Sequence, residues 1–501
     1  MPETGLTKIR FKHFKAFDEL VEMDIAPITV IAGVNSGGKS TIIQSLLLAR
    51  QTLITPYRQS VENALEYDGD LVRFGSFREM IFGKPTNYKG GMWLGFTVRG
   101  KVPPNRVSVA YRTEFFKNIP TSFNGLIDLD LDVRFNNISA KKIVVPDQAI
   151  LRVRSISNPS IYFRLMIEAE NDAWKTTIQI EGREQSVVTD SVSFDRFIPV
   201  WRPYSFVGDE NSLIQQMDFT NLYRRMFEPA LKLLRSELEE RLFYVGPLRS
   251  APQRTYTHRS STGLDIGTAG ESAIQQLYDH GDEEVTFVKL PSDLRFIQPE
   301  QLEVQPVKLL DAVRDSLQLL GMGQLLKIAK HGESYEASLN LLSRPKTYAF
   351  ITEVGFGVSQ ILPIITLGLL SPTDSILIFE QPEIHLHPRA QAGLAEFLLC
   401  LARTGRRILV ETHSDHLINR LRRRAAEDET DTFGAMVNIL FVTPPTTDGE
   451  GAKIERARIN KYGDIENWPP SFLADAAQDA RAIMLAGSNK RIREQRQEQV
   501  G

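Results

Sequence analysis

Residues 27–41 read Pro-Ile-Thr-Val-Ile-Ala-Gly-Val-Asn-Ser-Gly-Gly-Lys-Ser-Thr. The first six are mostly apolar and rich in β-branched side chains, which predicts a short buried strand. The remainder is a complete Gly-x4-Gly-Lys-Ser motif, and residues 42–50 after it are rich in leucine and contain no Gly or Pro. A glycine-rich loop between a strand and a helix is the context that a phosphate-binding P-loop requires.

This loop predicts a site for a nucleoside triphosphate with Mg²⁺. Its glycines allow backbone N–H groups to turn toward the β-phosphate, and the helix N-terminus adds the positive end of its dipole. Lys39 would reach the β- and γ-phosphates, and the Ser40 hydroxyl would ligate Mg²⁺. The predicted nucleotide-binding residues of the loop are Gly33, Asn35, Ser36, Gly37, Gly38, Lys39, Ser40 and Thr41.

Two later strands are predicted to complete this site. Residues 375–379 are Ser-Ile-Leu-Ile-Phe and lead into Glu380, which is typical of a Walker B strand on the neighbour of the P-loop strand. Glu380 is therefore predicted to hold Mg²⁺, directly or through water. Residues 407–412 form a second such strand and deliver His413 to the carboxyl edge of the sheet, where open α/β sheets bind their ligands. We expect His413 to contact the γ-phosphate.

A second glycine-rich turn, residues 354–363, precedes the Walker B strand and is called the signature turn below. Gly357, Ser359 and Gln360 open an apolar helix there, which is another N-terminus suited to an anion. One chain has little use for two such cradles on one triphosphate. The turn is therefore predicted to cap the γ-phosphate held by the P-loop of another subunit, and the alternative is a glycine-rich helix cap without a ligand.

Together these motifs resemble the ABC-type ATPase head shared by RecF, SMC and overcoming-lysogenization-defect (OLD) proteins. Residues 6–17 resemble the first strand and the Phe-Lys-x-Phe turn of those heads. Four further segments resemble a bacterial family of stand-alone AAA/ABC ATPases with a small C-terminal domain, often found in anti-phage defence operons. They are EQPEIHLHP (380–388), ETHSDHLINRL (411–421), YVGPLR (244–249) and GDIENWPPSF (463–472).

The resemblance implies an α/β fold: an ABC ATPase head whose mixed sheet is flanked by helices, with a β-rich insertion lobe and a small C-terminal module. We expect the two parts of the head at residues 1–95 and 244–450, the insertion with a helical segment at 96–243, and the C-terminal domain and tail at 451–501. The resemblance also implies ATP as ligand and ATP-dependent dimerisation or higher assembly. Ser359 would then act in trans, and His413 would be the switch histidine.

One departure from the ABC pattern concerns catalysis. ABC heads usually end Walker B in Asp-Glu, where the Glu activates water, but this chain has Glu380-Gln381. An amide orients water but does not accept its proton. Hydrolysis is therefore expected to be slow unless Glu383 or His413 supplies the missing base.

Composition excludes several classes of protein. The 59 Lys and Arg residues against 62 Asp and Glu give a net charge of −3, so nothing draws the whole chain to nucleic acid or an anionic membrane. The single cysteine, Cys400, excludes an internal disulfide and fits a reducing cytoplasm. No apolar stretch is long enough to span a bilayer. We expect a cytoplasmic protein.

Three functions remain open at this point. The favoured one is an ATP-gated sensor and regulatory scaffold in anti-phage defence, with a separately encoded effector such as a nuclease or toxin and a phage protein or DNA as trigger. The second is a DNA-repair ATPase of the RecF or SMC kind, which would require a basic groove across the assembled dimer. The strongest basic cluster, Arg420, Arg422, Arg423 and Arg424, either contacts phosphate or an acidic partner or forms a solvated helix end, and its acidic neighbours favour the helix end. The third, an OLD-type nuclease, needs a set of carboxylates that the residues after His413 do not convincingly supply.

Overall fold

The computed structural model describes residues 4–56, 63–84, 91–102, 125–138, 143–158, 162–171, 173–180, 183–189, 191–202, 217–259, 263–288, 303–323, 325–341, 344–430, 432–447 and 449–467. Among these residues, no helix is both long enough and apolar enough to cross a membrane.

The strands in chain order are β1 (Gly5–Lys12), β2 (Val21–Asp24), β3 (Ile28–Gly33), β4 (Met92–Val102), β5 (Gly125–Ile138), β6 (Ile143–Ser155), β7 (Tyr162–Glu170), β8 (Ala173–Ile180), β9 (Arg183–Thr189), β10 (Val192–Asp195), β11 (Ile198–Trp201), β12 (Leu242–Val245), β13 (Tyr256–Thr257), β14 (Glu284–Val288), β15 (Val304–Lys308), β16 (Leu326–His331), β17 (Ser334–Leu341), β18 (Arg344–Phe350), β19 (Ile376–Glu380), β20 (Arg407–Glu411), β21 (Val437–Thr443), β22 (Lys453–Ile459) and β23 (Ile465–Glu466). The helices are α1 (Lys39–Ile54), α2 (Phe77–Met80), α3 (Glu228–Glu239), α4 (Ala273–Asp279), α5 (Leu309–Leu319), α6 (Phe356–Leu370), α7 (Pro388–Arg403) and α8 (Asp415–Glu427).

The P-loop strand lies in a seven-stranded sheet of order β12-β19-β20-β3-β21-β22-β23. Strands β12, β19, β20, β3 and β21 are parallel, and β22 and β23 extend this sheet antiparallel. Every residue of β3, β19 and β20 is buried, as expected where helices cover both faces of a parallel sheet. The predicted α/β P-loop ATPase fold is confirmed. However, β20 lies between β3 and β19, so the Walker B strand is not the direct neighbour of the P-loop strand.

A second sheet has eight antiparallel strands in the order β2-β1-β4-β5-β6-β7-β8-β9. The β-rich character predicted for this part of the chain is confirmed, but β1 and β2, which precede the P-loop, belong to the same sheet. The predicted boundary between residues 95 and 96 falls inside β4, and the one between 243 and 244 falls inside β12. The eight-stranded sheet therefore includes strands of the predicted head, because β1 and β2 precede the P-loop in the chain. Likewise, β22 and β23 join the P-loop sheet across the predicted boundary between 450 and 451.

One hydrophobic core joins the two sheets. Its buried residues include Leu6 of β1, Leu46 of α1, Leu131 of β5, Leu234 of α3 and Ile378 of β19. Helix α1, which starts at the P-loop, therefore packs within a core that both sheets share. This arrangement fixes the nucleotide-binding loop relative to both sheets.

Candidate nucleotide-binding site

The P-loop conformation depends on glycine at two positions. Gly33 and Gly38 have φ of 139° and 101°, in the region that side chains disfavour. A Cβ on Gly33 would lie 2.4 Å from the Val442 carbonyl oxygen, and one on Gly38 would lie 2.7 Å from the Ala16 Cβ. The loop therefore has no room for larger residues at either position.

Lys39 lies across this loop. Its Nζ donates hydrogen bonds to the carbonyl oxygens of Gly33 at 3.2 Å and Val34 at 2.7 Å. Burial lowers the pKa of Lys39, and the charge of Glu411 opposes that shift. The ammonium is thus held by loop carbonyls that phosphate oxygens would replace.

The Ser40 hydroxyl is paired with a carboxylate that the sequence did not single out. Ser40 Oγ donates to Glu411 Oε2 at 3.0 Å. Glu411 ends β20, the strand next to β3, whereas Glu380 ends β19, one strand further away. Glu380 Oε1 instead accepts a hydrogen bond from the Tyr244 hydroxyl at 2.9 Å. The Mg²⁺ role of Glu380 remains a prediction, and the residue nearest the serine is Glu411.

The two carboxylates occupy opposite positions on adjacent parallel strands. Burial, followed by the charge of Glu411, raises the pKa of Glu380 to about 7. Burial also raises the pKa of Glu411, while Ser40 and Lys39 oppose that shift. A divalent cation would relieve the repulsion between two buried carboxylates, and Mg²⁺ prefers oxygen ligands of this kind. The residues present therefore fit the metal.

A cavity of about 790 Å³ opens over the loop. This volume lies within the range of small-molecule and cofactor sites. The predicted residues that line it are Asn35, Ser36, Gly38, Lys39, Ser40, Thr41, Gln381 and His413, and they are joined by Lys15, Ala16, Gln44, Arg73, Phe74, Glu79, Ile81, Gly83, Lys84 and Glu411. A signal for Glu411 existed in the sequence, since it ends a buried strand two residues before His413.

Gln381 and the two candidate replacements for the missing base, Glu383 and His413, occupy different places. Gln381 and His413 line the cavity, but Glu383 does not. Glu383 is buried, and its Oε1 accepts a hydrogen bond from the backbone N–H of His413 at 2.7 Å. Burial and then Lys39 lower the pKa of His413, so its imidazole is neutral at pH 7. Glu383 thus positions the histidine segment, and His413 faces the cavity.

The signature turn lies away from this cavity. Ser359 Oγ donates to the Phe356 carbonyl oxygen within α6 at 2.7 Å, and Gln360 is buried beside Arg249 and Ser250. A Cβ on Gly357 would lie 2.8 Å from the His385 carbonyl oxygen, so this glycine allows α6 to approach the loop after Walker B. A single chain does not bring Gly357, Ser359 or Gln360 to its own P-loop. Their action in trans remains a prediction.

Comparisons with known proteins support an ATPase fold. The family described as an AAA ATPase domain matches residues 320–418, which contain α6, β19, β20 and His413. Together with the P-loop sheet, this match gives the chain a P-loop ATPase fold. No curated protein matches the chain in sequence.

Three solved structures of SMC heads align with the chain at low identity. An SMC head bound to the C-terminal winged-helix domain of ScpA is 11% identical, with 91% of this chain and 98% of that chain covered and a TM-score of 0.37. The SMC head domain from Thermotoga maritima is 12% identical (90% and 98% covered, TM-score 0.33). A head with an extended coiled coil bound to the C-terminal domain of ScpA, from Pyrococcus furiosus, is 11% identical (96% and 100% covered, TM-score 0.34). The fold assignment relies on the strand order and the P-loop rather than on these low scores.

Proposed function

We propose that this chain is an ABC-type ATPase that binds ATP, hydrolyses it slowly and assembles with copies of itself through composite nucleotide sites. The observation that carries the proposal is the cavity over the P-loop, where Lys39, Ser40, Gln381, Glu411 and His413 converge. ATP binding and phosphoryl transfer use such groups: a lysine on a glycine-rich loop, a hydroxyl paired with a carboxylate, and two further polar groups.

In this proposal Ser40 and Glu411 would hold Mg²⁺, and Glu380 on the next strand would add negative charge near the metal. The metal, when bound, neutralises charge on the β- and γ-phosphates. Lys39 exchanges its two carbonyl acceptors for phosphate oxygens. Gln381 orients the attacking water, and neutral His413, which faces the cavity, accepts its proton as a substitute base. Because the glutamate of other ABC heads is replaced by an amide, hydrolysis is slow.

The composite site is supported by the outer surface of the signature turn. Gly355 is exposed, and Phe356 is 42% exposed with its ring edge-on to His385 at 4.8 Å. The first residues of the turn are thus accessible to a second copy, which would present its nucleotide at the N-terminus of α6. We therefore expect a dimer or a larger homo-oligomer that forms when ATP is bound.

We further propose that the assembly is a cytoplasmic sensor and regulatory scaffold for a separate effector, such as a nuclease or toxin, in anti-phage defence. The sequence resemblance to defence-associated ATPases motivates this role, with a phage protein as a possible trigger. Within the described ranges, no three or more His, Cys, Asp or Glu side chains are grouped to hold a metal, which gives no support to a nuclease centre in that part of the chain.

The arginine cluster disfavours the DNA-repair alternative. Arg424 is buried, and both Arg424 and Arg420 pair with Glu396 at 2.8 Å. Arg423 pairs with Glu427 at 2.6 Å, and Arg422 donates to the Gly463 carbonyl oxygen at 2.8 Å. These four side chains stabilise α8 and its neighbours rather than forming a free phosphate-binding surface.

Light scattering of the full chain with and without ATP and Mg²⁺ tests the assembly. Wild type and an exposed control, Lys232→Ala, should grow in mass with ATP, whereas Lys39→Ala and Ser359→Arg should not. Lys39→Ala should also lose ATP binding, while Ser359→Arg should retain it. If both variants assemble like the control, the composite site is wrong.

Phage challenge of cells that carry this gene with its neighbours, as wild type or Lys39→Ala, tests the defence role, and equal protection by both would refute it.

A further inference from the structure

Arg249 connects two parts of the proposed site without touching the cavity. It follows β12, and its side chain is only 7% exposed. Nη2 donates to the Gln381 carbonyl oxygen at 2.9 Å, and Nε donates to Gln360 Oε1 at 3.4 Å. Gln381 belongs to the loop that lines this chain's own cavity, whereas Gln360 belongs to the signature turn. One guanidinium therefore bonds both segments.

Gln381 is held in an unusual conformation by this contact. Its φ is 43°, in the left-handed region that non-glycine residues rarely adopt. Its N–H donates to the Glu411 carbonyl oxygen at 2.7 Å, and its carbonyl oxygen accepts from Arg249. The backbone is thus fixed from both sides, and strain of this kind persists where the surroundings determine it. Arg249 thus helps to hold the backbone of Gln381, a residue that lines the cavity.

The pairing of Arg249 is incomplete. Its Nη1 is buried and has no hydrogen-bond partner in the described structure, and the same holds for Oε2 of Glu383. Burial lowers the pKa of Arg249 and raises that of Glu383, and the charge of each group acts against the shift of the other. The two groups are thus near enough to interact but do not form an ion pair. Glu383 Oε1 holds the N–H of His413 at 2.7 Å.

A buried Nη1 and a buried Oε2 without hydrogen-bond partners are unfavourable, and an ion pair between Arg249 and Glu383 would satisfy both atoms. The 3.4 Å bond to Gln360 is longer than the 2.9 Å bond to Gln381, so it is the weaker of the two attachments. A small displacement of α6 would release or redirect the guanidinium while Gln381 stays bound. The structure therefore contains the parts of a two-position link.

We propose that Arg249 is a positioning residue that couples the signature turn to Gln381 and His413, and that it closes an ion pair with Glu383 when the turn engages the nucleotide of a second copy. The inference rests on the composite site proposed above. Because each copy offers its turn to the other copy's nucleotide, this link makes hydrolysis at the two sites interdependent.

The test compares wild type, Arg249→Gln, Arg249→Lys, Glu383→Gln and the double variant Arg249→Gln/Glu383→Gln in the full chain. Equilibrium dialysis measures ATP binding, light scattering measures assembly, and phosphate release measures kcat, KM and the Hill coefficient for ATP. Arg249→Gln should bind ATP like wild type, because Arg249 does not line the cavity, and it should still assemble with ATP. Its kcat should fall about tenfold and its Hill coefficient should drop from above 1 to about 1. Arg249→Lys, which keeps the charge, should recover part of kcat.

The double variant decides whether the two residues act together. If they act through one ion pair, the kcat of the double variant should match the lower kcat of the two single variants within about twofold. A double variant that loses the product of the two single effects would overturn the coupling, and so would a wild-type Hill coefficient of 1 or an unchanged Arg249→Gln enzyme. An Arg249→Gln protein with lost ATP binding and a lowered melting temperature would show a structural role only, which also overturns it. If wild type neither binds ATP nor assembles, the proposed function itself has failed.

Discussion

Removing the Glu237 carboxylate should destabilise the head, because it leaves the Arg407 guanidinium buried without its partner. Glu237 and Arg407 are 1% and 2% exposed, and Arg407 Nη2 lies 2.7 Å from Glu237 Oε2. The same oxygen accepts from the Leu6 N–H at 2.9 Å, and Arg407 Nη1 donates to the Leu6 carbonyl oxygen. The pair thus joins α3 to one strand of each sheet, and one of these strands, β20, leads to Glu411 and His413.

Breaking a buried ion pair by removing one partner costs about 3–5 kcal/mol. At roughly 2.1 cal/mol/K per residue, a chain of 501 residues has an unfolding entropy of about 1.1 kcal/mol/K. Glu237→Ala should therefore lower the melting temperature by roughly 3–5 °C if the chain unfolds as one unit, and by more if the cooperative unit is smaller. Arg423→Ala, which removes a half-exposed ion pair with Glu427, should cost less than about 1 kcal/mol and serves as control.

Differential scanning calorimetry measures both variants and the double variant Glu237→Ala/Arg407→Met. The double variant should recover part of the lost stability, because the unpaired charge is gone. If Glu237→Ala melts within about 1 °C of Arg423→Ala, or if the double variant melts below Glu237→Ala, the uncompensated charge is not what destabilises the single variant.

Three further predictions concern the site and the buried thiol. Glu411→Gln should raise the Mg²⁺ concentration for half-maximal ATPase activity by about tenfold, because a charged hydrogen-bond partner of Ser40 is lost. Glu380→Gln should have the smaller effect, and the reverse order in a Mg²⁺ titration would contradict the assignment. Gln381→Glu should speed phosphate release by about 100-fold if proton transfer limits hydrolysis, whereas an unchanged rate would point to His413 as a sufficient base. Burial raises the pKa of Cys400 to about 12, so the folded thiol stays protonated while the unfolded thiol ionises near pH 9. Stability from this group is complete below pH 9 and declines above it, and thiol reagents should label Cys400 only on unfolding, which a native-state labelling time course checks.

Much of the site could be predicted from residues close together in the chain. The P-loop is a local structure, because one strand, one turn and one helix N-terminus create it, and the positive φ of Gly33 and Gly38 is a requirement of that turn. The strands carrying Glu380 and His413 were also recognisable, since fully buried parallel strands are continuous apolar runs. The β-rich character of the region after the P-loop followed from alternation along each strand.

The order of strands in the sheets required the tertiary structure. Periodicity along a strand does not reveal its neighbours, so the position of β20 between β3 and β19 was not predicted, nor was the membership of β1 and β2 in the eight-stranded sheet. Two of the three domain boundaries proposed from sequence therefore fall inside strands, and the third separates strands of one sheet.

The same limitation explains Glu411 and Arg249. Local motifs predicted the kinds of groups at the site: a phosphate-binding loop, with acidic and imidazole groups at the ends of later strands. Such motifs are recognisable because they depend on residue types at short spacing. Which carboxylate meets Ser40, and which arginine joins the signature turn to Gln381, depends on contacts between residues more than 100 positions apart. Such contacts follow from the packing of sheets and helices around a shared core, so they cannot be predicted from short segments of sequence.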